Sequence, residues 1–83
     1  MNFLTDFIQT HAVGTNLTVT TVAQGLSLAL NRASGIKRAA ILKIGQSHEA
    51  TESFIGSLLT KVQDGRLQSM GEVSSFVLGR HIQ

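Results

Sequence analysis

The sequence predicts an all-α fold, a compact bundle of four to five short helices that takes in residues 1–83 as one small domain. Three observations carry this. Seven apolar residues between Asn16 and Ala33 recur at the helical period, helix start and stop signals bracket the second half of the chain, and eight glycines without any proline supply the breaks.

In the first element, residues 2–11, Phe3, Leu4, Phe7 and Ile8 stand at the i, i+1, i+4, i+5 spacing of one helix face. His11 ends that face, and a histidine in a last turn suits the negative end of the helix dipole better than it suits a ligand or catalytic role.

Between residues 16 and 33 two periods compete. At the helical period Val19, Val22, Ala23, Leu26, Ala29, Leu30 and Ala33 form one stripe about 120° wide, with Thr20, Gln24 and Asn31 opposite. Asn16 or Thr18 would cap its start, and Ser34-Gly35 would end it at a left-handed position. Against this stand the β-branched run of residues 17–22 and the alternation of residues 26–30, which could make a hairpin turning at Gln24-Gly25. The alternative fold is therefore α+β, with a hairpin in residues 16–44 packed on helices. Leu17 and Leu28 fit only that alternative, but it leaves Ala23, Ala29 and Ala33 without a purpose, and the helix is preferred.

Residues 36–44 are apolar nearly all round and read as a short buried helix. Ser47 then serves as an N-cap, Glu49 and Glu52 sit at the positive end of the next helix, and Phe54, Ile55, Leu58, Leu59 and Val62 make its core face. Asp64-Gly65 stops it. Ser69-x-x-Glu72 is a capping-box pattern that opens a last helix with Met70, Val73, Phe76 and Val77 on one side and Leu78 and Ile82 on a second. Six of the glycines fall at near-regular steps, but the segments between them share no pattern, so they read as separate breakpoints rather than a repeat. Gly25 and Gly56 lie inside helices on this reading.

A chain of 83 residues and 8.9 kDa holds one core and draws only a few kcal/mol of net stability from it. With no cysteine, disulfides, thiolate zinc sites and cysteine nucleophiles are excluded. His11, His48 and His81 lack any metal-ligand spacing, so neither metal nor cofactor is expected. Association with a protein partner or with its own copies is the remaining support. A charged content of 14% points the same way, because a surface of Thr, Ser, Gln and Asn resists association less than a charged one. The longest uncharged run, residues 11–31, carries Asn16, Gln24 and four threonines and is amphipathic rather than membrane-spanning. Residues 1–6 lack the basic start of a secretory signal, and a cytoplasmic location is expected.

No residue pattern resembles an active site. The only spaced pair among five acids is Glu49 and Glu52, which dipole complementarity explains, no serine stands in a G-x-S-x-G turn, and the glycines do not form a phosphate loop. The chain is read as non-enzymatic, with no catalytic residues.

One asymmetry remains. Arg32, Lys37, Arg38 and Lys43 fall within twelve residues, and no acid occurs from Phe7 through His48. Residues 1–48 carry those four cations against Asp6, a net +3, while residues 49–83 carry three cations against four acids, a net −1. A basic half attracts phosphate backbones or acidic protein faces. Residues 26–44 also resemble a degenerate helix-turn-helix, with Gly35 at the turn, Ile36, Ile41 and Ile44 buried, and Lys37 and Arg38 opening the helix that would enter a major groove. Asn31 and Ser34 depart from the usual apolar packing positions, and no series of base-reading side chains follows. The leading expectation is thus a protein-binding or assembly module that contacts its partner through Leu28, Leu78 and Ile82, the residues outside the main core stripes. The alternative is a small DNA-binding regulator that uses Arg32, Lys37, Arg38 and Lys43.

Overall fold

Five helices account for the computed structural model, which describes residues 1–80: α1 (Phe3–His11), α2 (Leu17–Arg32), α3 (Gly35–Ile44), α4 (His48–Gln63) and α5 (Met70–Arg80). No strand occurs among the described residues, and the hairpin alternative for residues 16–44 is overturned. The reason is visible in α2, where Val22, Ala23, Leu26, Ala29 and Leu30 are all buried on one helical stripe. Leu17, the residue that fitted only a hairpin, is left in solvent.

Every start except that of α3, where Ser34 makes no side-chain cap, is set by a side chain that accepts hydrogen bonds from the free amides of the first turn. Asn16 Oδ1 accepts from the Val19 amide at 3.1 Å, Ser47 Oγ from Ala50 at 3.2 Å and Ser69 Oγ from Glu72 at 3.1 Å. At the end of α4, Arg66 N–H donates to the Lys61 carbonyl and Gly65 N–H to that of Val62, a Schellman closure that requires the left-handed Gly65, φ 77°.

The bundle is organised around α2. α5 packs along it most extensively, with α1 and α4 against its other sides. The radius of gyration, 11.5 Å, matches the roughly 12 Å expected of a folded chain of this length. Leu4, Val22, Leu26, Ile41, Leu58, Val73 and Val77 form the fully buried centre. The α2–α5 crossing is close because Gly25 faces Val73, and a Cβ at Gly25 would meet both Val73 Cβ and the Met70 carbonyl.

A second tie joins α1 to α3. Asn2 Oδ1 caps α1 by accepting from the amides of Leu4 (3.0 Å) and Thr5 (3.1 Å), while its Nδ2 donates to the Leu42 carbonyl at 2.8 Å. Phe3 N–H donates to Gly45 O at 2.7 Å, and Thr51 Oγ1 to Ile44 O at 2.9 Å. The carbonyls that end α3, two of which also accept the Gly45 and Ser47 amides, are thereby tied to two other helices. Gly45 is buried beneath Asn2 with no room for a Cβ.

Two expectations about burial are corrected. Residues 36–44 are not buried all round, because α3 lies at the edge of the bundle, packs chiefly on α4 and buries fully only Ile41. Met70, assigned to the core face of the last helix, is 46% exposed, because it opens α5 at the bundle's rim. Gly56, by contrast, lies inside α4 with open space around its missing Cβ. Gly56→Ala is expected to stabilise the fold by about 1 kcal/mol through helix propensity alone, which urea unfolding would register as a higher midpoint with an unchanged slope.

Candidate functional site

The four residues of the basic cluster do not form one patch. Arg32 ends α2, with Lys37 and Arg38 in the opening turns of α3, so these three gather at the α2–α3 junction. Lys43 lies at the opposite end of α3, about 9 Å further along the helix than Lys37. Arg38 Nη1 donates to the Leu30 carbonyl, one of the unpaired terminal carbonyls of α2, where a cation also suits the dipole. Arg32 Nη1 lies 3.5 Å from the hydroxyl of the buried Ser74 on α5. Both arginines are thus engaged at the C-terminal end of α2, a packing role that spacing alone does not reveal. Lys37 is half-buried and makes none of the ion pairs among the described residues.

The helix-turn-helix expectation is corrected at its packing positions. Gly35 does supply a left-handed turn, φ 58°, and Ile41 is buried, but Ile36 is 90% exposed and Ile44 only partly covered. The contact between α2 and α3 is slight, since α3 packs chiefly on α4. A recognition helix is normally braced against the helix before it, which here would need Ile36 inside.

Leu28 has the surroundings of a contact residue. It is half-buried in an open groove of about 370 Å³ where the α1–α2 loop meets α2 and the start of α5. Val13, 92% exposed, and Met70 share that groove, and its remaining lining is Ala12, Gln24, Ser27 and Asn31, with no charged residue. Gln24 Nε2 donates to the Ala12 carbonyl at 3.2 Å and holds the loop beside α2. Val13 escaped sequence reasoning because it stands in the polar turn of residues 12–16, where periodicity says nothing; an apolar residue amid turn formers was the only available signal. Leu78 is partly buried and packs against the core. Ile82 lies outside the described residues.

A second groove, about 250 Å³, runs between α1 and α4. Phe3, Phe7 and Ile55 give it an apolar floor, and Asp6, His48 and Glu52 line it as well. The His48 ring meets Phe3 edge-on at 5.1 Å between centroids, and its Nε2 lies 3.2 Å from Glu52 Oε1. Glu52 therefore lies beside His48, and of the two acids only Glu49 stands in the first turn of α4. His11 closes α1 as expected, stacked on Phe7 at 4.7 Å.

Among the described residues no three histidine or acidic side chains converge as a metal site, and no helix is long and apolar enough to cross a membrane. No protein-family model matches the chain, and no curated protein or solved structure matches it significantly.

Proposed function

We propose that this chain is a non-enzymatic assembly module that pairs with a second copy of itself through Val13, Leu28 and Met70. The observation that carries the reading is the uncharged, apolar groove these three residues share, open to solvent although α2 buries Val22, Leu26 and Leu30. A patch without charge can meet its own copy across a two-fold axis with no like-charge repulsion, which a charged patch cannot do. The weakly charged surface and the small core favour the same outcome. A stable pairing buries about 800 Å² on each partner, roughly a sixth of the 4991 Å² the chain exposes.

The test is molar mass by light scattering on a sizing column, over a concentration series, for the wild type and for the double variant Val13→Asp/Met70→Asp. Both side chains are exposed, so the variant keeps its helical circular dichroism. At high salt, where contacts between oppositely charged surfaces are screened, the wild type is expected at twice 8.9 kDa and the variant as single chains. Carboxylates facing their symmetry mates in a drying interface weaken pairing by more than about a hundredfold. A single-chain wild type, or a variant with the wild-type mass, sinks the reading.

A nucleic-acid role for Arg32, Lys37, Arg38 and Lys43 is the second reading, favoured by the gathering of three of them at one junction. Anisotropy of a labelled duplex separates the two. Binding that falls steeply with salt and is lost in Lys37→Glu would put the DNA reading first, whereas the assembly reading expects no binding at low salt.

A further inference from the structure

Ile36 is 90% exposed, and nothing in the fold accounts for it. It stands in the first turn of α3, followed by Lys37 and Arg38 and across the junction from Arg32, so an apolar knob projects from the positive end of the molecule. The groove between α1 and α4 has the opposite chemistry. Its floor is Phe3, Phe7 and Ile55, and its carboxylates are Asp6 and Glu52. Asp6 makes no ion pair among the described residues, and Glu52 has only the His48 ring beside it. Neither carboxylate has a lysine or arginine partner among the described residues.

From this complementarity of apolar surface and charge sign we infer that a second copy of the chain docks head to tail, seating its Ile36 in the groove between α1 and α4 and bringing its Lys37 to Asp6 and Glu52. An apolar residue beside a cation recognises an apolar floor edged by carboxylates, and the sign of the charges also steers the encounter. The contact joins two different surfaces, so one copy offers its knob while its own groove stays open to the next. The assembly it builds is an open row rather than a closed pair. It uses none of the surface of Val13, Leu28 and Met70, and it stands or falls separately from the pairing proposed above.

Sedimentation velocity at low and moderate salt tests it, in the Val13→Asp/Met70→Asp background where symmetric pairing is removed. The background protein is expected to gain mean mass with concentration, and less so as salt rises, because exposed charges are screened. Adding Ile36→Asp, or adding Glu52→Lys, is expected to abolish that gain and leave single chains of 8.9 kDa. Both positions are exposed, so the fold is kept. Mixing the two blocked proteins is the decisive arm: one retains its groove and the other its knob, so they form a two-chain species and stop there. Three results would overturn the inference: a background protein that stays monomeric throughout, a blocked variant that still associates, or a mixture that yields no two-chain species. If the wild type pairs while the background stays monomeric, the head-to-tail contact is lost and the symmetric pairing survives. If the wild type and the background associate alike, the symmetric pairing is lost and the head-to-tail contact survives.

Discussion

Replacing Gly25 by valine is expected to cost about 3 kcal/mol, the upper part of the range for forcing extra volume into a packed core. The site is buried in the middle of α2, and a Cβ there overlaps Val73 Cβ and Cγ1 and crowds the Met70 carbonyl. A carbonyl belonging to the first turn of α5 cannot rotate aside as a flexible side chain would, so α5 has to move away. That movement uncovers Leu26, Ala29, Val73 and Val77, all buried at present. Helix propensity runs the other way, since glycine in a helix interior is the poorer residue, but the gain is below about 1 kcal/mol and does not offset the overlap. For a domain of this size the loss appears as a fall in Tm of roughly 12–24 °C. A double-mutant cycle sharpens the test. Val73→Ala alone opens a cavity and destabilises, but with Gly25→Val the freed volume is partly refilled, so the double variant is expected to lose less than the two single losses together. Strict additivity would show that the two helices do not meet through these residues.

Asn2→Ala is the second large effect, at about 2–3 kcal/mol. The substitution removes a cap from the amides of Leu4 and Thr5 and also takes one of two donors from the Leu42 carbonyl, leaving it the Gly45 amide. Asn2→Asp separates the two contributions. It retains an acceptor for α1 and gains from the dipole there, but it turns a carboxylate towards the carbonyls that end α3. Its stability is therefore expected between those of the wild type and Asn2→Ala, measured by chemical unfolding. If Asn2→Asp matched the wild type, the Nδ2 bond to Leu42 would be worth no more than the dipole gain at α1.

What the sequence made legible, and what it hid, follows from how far each interaction reaches. Asn16, Ser47, Ser69 and Asp64-Gly65 mark helix ends because capping joins residues three or four apart, and the α2 stripe was readable because one face of that helix is covered along its whole length. Asn2 acts across forty residues, and its second bond has no local signature. The same holds for Ile36 and Leu78. Both are apolar residues on amphipathic helices, and whether a neighbour covers them depends on where another helix passes, as α4 passes the far face of α3 and leaves its first turn open. Of the residues named for contact, Leu28 emerged in an open groove because it fell outside a stripe that was correctly drawn. Its companions Val13 and Met70 stayed hidden, one in a turn and the other on a helix's first residue.

The way α3 is held has a consequence for hydrogen exchange. Its closing carbonyls are fastened by α1 and α4, yet it contributes only Ile41 to the fully buried centre and leans little on α2. An element with few buried apolar contacts opens before the rest of a protein does. The amides of α3 are accordingly expected to take up deuterium together, sooner than those of α2 and α5. A neighbour seated on Ile36 would bind only the closed form of that helix and slow its opening by mass action. The deuteration rate of these few amides would then report whether copies of the chain are joined at that end.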